Sequence, residues 1–350
     1  MRGPVFVTGG SGFVGGALLR RLVTDGLEVR ALARTDEAVG RVEALGAKAV
    51  RGDVLDPASL ASGARGCAVA FHAAGVNAAC APDPTEMLHV NVGGSANVVR
   101  ACAETGVGRL VVTSSAAALG EPRGTIGRET SPHRGWFLSN YERSKFLAER
   151  AAFDEARGTD LDVVAVNPSS VQGPGRTTGT ARLLALAFGR VVPIVRATVS
   201  IVDVDDCVEG HVLAAERGRP GERYVLCGAT LTTRELVDAL ERATGEPRRV
   251  LVLPRALVSI TGALGRIGSR VMRRETAWCP ELARVLLHGH AYDGSRAERE
   301  LGLRYAPIED TLRRTLAWQL ERRLAAKAGG GRRRMSPFRP TSGRSPKERA

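Results

Sequence analysis

Val5-Phe6-Val7-Thr8-Gly9-Gly10-Ser11-Gly12-Phe13-Val14-Gly15 is a short apolar run, a glycine-rich turn and the first residues of an apolar segment with helical spacing. Val5–Thr8 predicts a strand and Gly15–Asp25 a helix. The glycines between them have separate tasks. Gly9 permits the tight turn, Gly12 lets backbone approach a pyrophosphate, and Gly15 lets the helix pack closely on the strand. Phosphates would then rest over free N–H groups at the positive end of the helix dipole. A glycine triplet alone is weak evidence. With a strand before it and a helix after it, near the N-terminus, it predicts a dinucleotide site.

Outward from that turn, short apolar runs alternate with helix-length segments. Strands are expected at Glu28–Ala33, Ala49–Val50, Ala68–His72, Leu110–Thr113 and Asp162–Asn167, and helices near Pro84–Thr105 and Ser139–Arg157. Continuous apolar strands joined by crossover helices make a parallel sheet covered on both faces. The fold class is therefore α/β, doubly wound.

After Asn167-Pro168 the texture changes. Gly173–Thr180 reads as a loop, followed by an apolar helix from Ala181. Thr232-Thr233-Arg234-Glu235 is a capping box opening a helix to about Ala243. Val250–Met272 reads as a strand leading to an amphipathic helix, with peripheral membrane contact as a lesser possibility. Tyr224–Cys227 is the candidate strand for rejoining the main sheet. The expected organisation is a dinucleotide-binding part over 1–167, rejoined by about 201–228. A smaller interleaved C-terminal α/β substrate lobe covers 168–200 and 229–325, and a disordered basic tail 326–350.

The 350 residues carry 50 Lys plus Arg against 37 Asp plus Glu, a net charge of +13. Read alone, that points to nucleic acid or an anionic membrane. Residues 326–350 hold eight basic residues against Glu348, a net of +7, which leaves +6 for the other 325. The tail is Gly-, Ser- and Pro-rich, with too few apolar groups to fold by itself. A solvated extension is the commoner role for such an arm, and a nucleic-acid contact the rarer one. No transmembrane segment or signal peptide is read. The six cysteines show no C-x-x-C spacing, and several sit in apolar runs where a reduced thiol packs as a small hydrophobe. A reduced, cytoplasmic setting is expected.

The end of the second expected strand decides the cofactor. It reads Ala31-Leu32-Ala33-Arg34-Thr35, with no acid to accept from a ribose 2′-OH. Arg34 offers a planar fork suited to a 2′-phosphate, which favours NADP, with NAD kept open by Asp36 close by. A solvent-facing loop arginine is the plainer alternative.

Asn140-Tyr141-Glu142-Arg143-Ser144-Lys145 begins a predicted helix, and the i, i+4 spacing puts Tyr141 and Lys145 on one face. A free phenol has a pKa of about 10, too high for ready proton exchange at neutral pH, and a nearby cation favours the phenolate. Upstream, Leu110–Thr113 ends at Ser114-Ser115, on the sheet edge where open α/β sheets bind ligands. A serine hydroxyl there can hold a substrate oxygen against the phenol. The Y-x-x-x-K spacing means little alone. It gains weight from the glycine turn and the serine pair.

This set of motifs resembles the short-chain dehydrogenase/reductase superfamily, in its extended branch, the NAD-dependent epimerase/dehydratase family. The resemblance covers nearly all of residues 4–320 and implies a Rossmann-type sheet. Thr8–Gly15 matches T-G-x-x-G-x-x-G, which implies cofactor contacts at Thr8, Gly9, Gly12, Phe13, Val14 and Gly15. Gly52-Asp53-Val54-Leu55-Asp56 is similar to the adenine-side segment, with Asp53 and Val54 flanking the ring. His72-Ala73-Ala74-Gly75 is similar to the stretch beside the cofactor. Asn91-Val92-Gly93-Gly94-Ser95 matches N-V-x-G-[ST], with Asn91 structural. Ser115, Tyr141 and Lys145 fall on the catalytic positions, and Lys145 is expected both to lower the pKa of Tyr141 and to grip the nicotinamide ribose. Asn167-Pro168-Ser169-Ser170-Val171 resembles the segment that reaches the nicotinamide, through Pro168 and Val171, and Val202–Asp206 a later substrate-lobe signature. A homodimer through helices near 85–104 and 140–157 is also implied.

Two departures bear on the reaction. Where sugar-nucleotide epimerases often show Tyr-Gly, this chain has Leu119-Gly120. Their later Arg-Pro…Val-Tyr-Gly-Pro-Gly is here Asn167-Pro168…Val171-Gln172-Gly173-Pro174-Gly175. Together with Arg34, this resembles the dihydroflavonol reductase-like and hydroxysteroid dehydrogenase-like side of the family. The expected activity is hydride transfer between nicotinamide and a secondary alcohol or ketone of a small-molecule substrate. A sugar epimerase or dehydratase holding NAD tightly is second, and a non-catalytic redox sensor a distant third. Arg134, Trp136 and Arg176 are candidate substrate contacts, with loop anchoring or solvent exposure as the alternatives. His288 and His290 have no acidic or cysteine companion at ligand spacing, so no metal is expected.

Overall fold

Within β1 (Val5–Thr8), Val5 and Val7 point into one hydrophobic cluster and Phe6 into another, and all are essentially unexposed. That is the signature of a strand covered on both faces. The structure, a computed structural model, describes residues 1, 3–78, 80–81, 83–177, 189–272 and 278–330. The pattern continues through β2 (Val29–Ala33), β4 (Val69–His72), β5 (Arg109–Thr113) and β6 (Asp162–Pro168), whereas β3 (Lys48–Arg51), at the sheet edge, is exposed at both ends. A further strand, Arg223–Leu226, pairs in parallel with β6, as expected for Tyr224–Cys227. The seven strands form one parallel sheet. Its order, from Arg223–Leu226, runs through β6, β5, β4, β1 and β2 to β3. Strand order reverses between β1 and β4, where the carboxyl ends leave the crevice that binds ligands in such sheets.

Helices cover both faces. On one side α1 (Phe13–Thr24) buries Leu18, Leu19 and Leu22. On the other, α3 (Pro57–Ala64), the stretch 85–104 and α6 (Asn140–Ala156) pack over Phe6, Leu60, Val99 and Leu110. α2 (Asp36–Ala44) is capped by Thr35, whose side chain accepts from Ala38 N at 3.2 Å. The helix expected over Pro84–Thr105 has three parts: α4 (Thr85–Leu88), a π-turn at His89–Gly93 and α5 (Gly94–Glu104). The π-turn holds Asn91, and such bulges recur at functional sites.

Beyond Pro168, Ser170–Gln172, Thr198–Asp203 and Ala229–Thr232 form a three-stranded sheet, and Val191–Ile194 pairs with Arg249–Val252. The capping box at Thr232 and Glu235 is present, opening the helix Thr233–Thr244. The helix expected from Ala181 lies outside the described residues. Among the described residues no helix is long and apolar enough to cross a membrane. Two expectations are corrected. The last helix, Ile308–Gly330, runs five residues into the segment read as a disordered tail, and 331–350 lie outside the described residues. The cysteines are not all reduced: Cys80 and Cys279 form a disulfide, with Cα atoms 5.6 Å apart, while Cys67, Cys102, Cys207 and Cys227 are free and buried. A pairing across 199 residues leaves no trace in local spacing.

Candidate active site

The glycine turn closes on itself. Gly9 adopts φ +78°, and its carbonyl accepts from Gly12 N at 3.0 Å. A Cβ on Gly9 would stand 2.4 Å from Ala74 N, and one on Gly15 would stand 2.2 Å from Gly9 O. Both glycines are therefore packing necessities. Gly12 differs, since a Cβ there would meet only Gly9 O, at 3.2 Å. It caps α1 with no side chain, so the first-turn N–H groups take no side-chain cap. Bare N–H groups under an open approach fit a dinucleotide pyrophosphate. Thr8 holds the neighbouring strand end: its carbonyl accepts from Ala73 N at 3.0 Å and its Oγ1 from Ala74 N at 3.4 Å.

Ser115 caps the 3-10 turn Ala116–Leu119 just beyond β5, with its Oγ accepting from Ala117 N at 3.3 Å. Tyr141 lies in the first turn of α6 and Lys145 one turn later, both half-buried. Burial raises the Tyr141 phenol above its usual pKa, while a hydrogen bond from Ser115 and the positive charge of Arg176 pull it down. The sequence assigns that lowering to Lys145. Lys145 Nζ instead donates to Thr113 O over 2.7 Å, and burial pushes its pKa down to about 8, with Glu149 opposing. Serine, phenol and ammonium thus converge at the carboxyl end of β5.

Arg34 stands just past β2, two-thirds exposed, with Nη1 3.6 Å from Asp53 Oδ2. Asp36 is turned to Arg51, 2.5 Å away. The neighbour of Arg34 is therefore Asp53, whose other oxygen accepts from Leu55 N at 3.0 Å. Val54 is buried against Gly94.

A family model described as NAD dependent epimerase/dehydratase family matches residues 5–227. The chain belongs to this family. It is 32% identical over 333 residues to sterol demethylase protein B of Methylococcus capsulatus, covering 90% of this chain and 98% of that relative. It is 33% identical over 306 residues to a Stigmatella aurantiaca enzyme named 4-hydroxy-2-methyl-3-oxo-4-farnesyl-3,4-dihydroquinoline-1-oxide ketoreductase, covering 85% of this chain and 90% of that one. Among solved structures, that of gox2253 superposes with a TM-score of 0.78 at 30% identity, covering 92% of this chain and 99% of the other. This is an enzyme of the NAD-dependent epimerase/dehydratase family.

Three residues of the sequence motifs, Asn91, His72 and Asn167, hold this family site together through partners that the motifs do not name. Asn91 clasps the segment after β4, with Nδ2 donating to Val76 O at 2.9 Å and Oδ1 accepting from Val76 N at 2.7 Å. The same Nδ2 reaches Ser144 Oγ at 2.9 Å, and Ser144 Oγ donates to Tyr141 O at 2.8 Å. The clasp thereby sets the segment carrying Ala73, Ala74 and Gly75 against α6. Buried His72 bridges Thr8 Oγ1 at 2.7 Å and Ser95 Oγ at 3.1 Å, and burial and then Lys145 push its pKa to about 3. It is a neutral spacer. Asn167 donates to Ser115 O at 3.1 Å and to Glu149 Oε2 at 2.6 Å, while Glu149 Oε1 takes Arg223 at 3.0 Å. Pro168 closes β6 beside this network, and Val171 is buried in the next strand.

The three expected substrate contacts part company. Arg134 is buried in an ion pair with Glu142 and donates to Glu121 O at 3.1 Å. That is the loop-anchoring alternative in physical form. Trp136 is half-exposed, with the Arg134 guanidinium 5.0 Å from its ring. Arg176 lies 5.3 Å over the Phe13 ring and acts on Tyr141, so it spans the glycine turn and the phenol. His288 and His290 have an acidic companion after all. Glu121, adjacent only in the fold, puts Oε1 2.6 Å from His290 Nδ1 and 3.8 Å from His288 Nε2.

Proposed function

We propose that the chain is an oxidoreductase that moves a hydride between a nicotinamide cofactor, NADP in preference to NAD, and the carbon of a secondary alcohol or ketone. The observation that carries this is the convergence of Ser115 and the Tyr141 phenol, on which Ser115 acts, at the carboxyl edge of the sheet, with Lys145 Nζ held on Thr113 O one turn along. Bound nicotinamide supplies or accepts the hydride. Ser115 holds the substrate oxygen, and Tyr141 gives that oxygen a proton in reduction or takes it in oxidation. Lys145, anchored on Thr113, would hold the cofactor ribose. Arg34 would pair with the 2′-phosphate, and Asp53 and Val54 would border the adenine. The ketoreductase name of the Stigmatella relative supports the reductive direction. In this reading residues 1–167 and about 201–228 bind the dinucleotide, and 168–200 with 229–325 shape the substrate side. A homodimer and a cytoplasmic setting also belong to it, the Cys80–Cys279 disulfide standing against the latter.

The test is oxidation of NADPH and NADH across panels of ketones, steroids, flavonoid-like compounds and nucleotide sugars. Turnover of a ketone with NADPH, abolished by Tyr141→Phe with cofactor affinity kept, is expected. Activity surviving that change, or co-purifying NAD that never exchanges, overturns the assignment.

A further inference from the structure

We infer that Glu121, His288 and His290 form a binding site for one divalent transition-metal ion of the zinc type, separate from the dinucleotide and proton-transfer groups. One ligand atom from each lies within 4.8 Å of the others. Glu121 is 1% exposed and the His288 side chain 4%. Two polar atoms of this cluster have no hydrogen-bond partner: Glu121 Oε2 and His288 Nε2. A buried polar atom without a partner costs about 1–3 kcal/mol, more when charged. A cation between these donors removes that cost for both.

The donor set is chemically selective. Two imidazoles and a carboxylate suit zinc and its transition-metal neighbours, whereas magnesium and calcium take oxygen donors. Zinc bonds of about 2.0–2.1 Å in a tetrahedron set ligand atoms about 3.3 Å apart. The observed 2.6 and 3.8 Å separations bracket that value, so small side-chain rotations complete the geometry. Tyr292 Oη lies beside the cluster, 3.0 Å from His290 Nδ1. A purely hydrogen-bonded cluster is the alternative. It accounts for Oε1 of Glu121 and Nδ1 of His290, and Tyr292 and the Glu121 backbone lie close to the cluster, but it gives Glu121 Oε2 and His288 Nε2 no bond of ordinary geometry.

Placement gives the site its consequence. Glu121 follows the turn that carries Ser115, while His288 and His290 come from the C-terminal half, His290 lying 169 residues along the chain from Glu121. An ion here ties the substrate side to the strand end that carries the hydroxyls. The carbonyl of Glu121 also accepts from Arg134, whose partner Glu142 adjoins Tyr141.

The untagged full-length chain, stripped with a chelator and dialysed against zinc, is expected to retain about one zinc per chain by elemental analysis and to unfold at a higher temperature than the stripped form. Cobalt in its place should give the visible absorption of a four-coordinate N/O site, and X-ray absorption should show two imidazoles at about 2.0–2.1 Å. Those wild-type readouts do not depend on any variant folding. Glu121→Gln and His288→Asn should lose the metal while still binding the dinucleotide. Retention of less than about a fifth of an equivalent by the wild type, with no thermal shift, overturns the site. So does full retention by both variants, which would place the metal elsewhere.

Discussion

The ammonium of Lys145 donates to the carbonyl oxygen of Thr113 over 2.7 Å, so helix α6 is fastened to the strand that delivers Ser115. The contact fixes the height of Tyr141 above the sheet, because Tyr141 and Lys145 are one helical turn apart. It also holds a cation where burial disfavours charge, hence a lysine that titrates near 8.

A pH dependence follows from that value. The cation is present below about 8 and lost above it, while Tyr141, raised by burial, stays protonated to higher pH. Reductive kcat/KM should therefore fall as pH rises through about 8. Lys145→Arg keeps its charge at any accessible pH, so its slower turnover should lack that descending limb. Stability moves the other way. Between about 8 and 10.5 the unfolded lysine holds a proton that the folded one has released, so stability relative to Lys145→Met should rise with pH across this window. A pH–rate profile and chemical denaturation at a series of pH values check both.

How much was legible in the sequence depends on range. The glycine turn, the alternating strands and the Tyr–Lys spacing are local patterns, and local periodicity survives translation into structure. Rejoining of the sheet at Tyr224 could be read because a buried strand keeps its apolar run. Pairs made by the fold could not. Glu121 meets His290, Cys80 meets Cys279 and Arg223 meets Glu149 across long stretches of chain with no spacing rule connecting them. The π-turn at Asn91 was hidden for another reason: a one-residue change in hydrogen-bond register leaves the helical pattern intact.

Arg34 should set cofactor preference. It is mostly exposed and lies 3.6 Å from Asp53, so it can reach an incoming phosphate without breaking a buried contact. A charge-assisted contact is worth about 1.5–3 kcal/mol, so Arg34→Ala should weaken NADPH by about 10-fold or more. NADH affinity should stay within about twofold, since its ribose offers the guanidinium no phosphate. Fluorescence titration of the two cofactors decides this, and equal losses for both would remove Arg34 from the site.

Arg134 and Glu142 are both nearly unexposed, and Glu142 Oε2 also accepts from Leu138 N at 2.6 Å. Arg134→Met strands a carboxylate in the interior and should cost about 3–5 kcal/mol. Pairing it with Glu142→Leu removes the stranded charge and should recover part of that loss. Urea unfolding of the two singles and the double closes the cycle. Additive losses would mean that the two side chains do not act as a pair.

The three motif glycines, Gly9, Gly12 and Gly15, should separate on substitution, because only at Gly12 would an added Cβ avoid an approach under 3.0 Å. Gly15→Ala drives a Cβ to 2.2 Å from Gly9 O, a backbone atom that no rotamer change can move away. Gly9→Ala adds a 2.4 Å approach to Ala74 N at a φ of +78° that favours glycine. Both should lower the unfolding temperature markedly, with or without dinucleotide. Gly12→Ala is different: its φ is −84° and its nearest neighbour stands at 3.2 Å, so the fold should lose less than about 1 kcal/mol. The new methyl occupies the approach to the first-turn N–H groups of α1. Dinucleotide affinity should therefore fall by about 10-fold or more while the unliganded protein unfolds near the wild-type temperature. Thermal unfolding with and without NADPH separates the outcomes, and a Gly12→Ala protein that binds like wild type would show that the pyrophosphate does not lie over this turn.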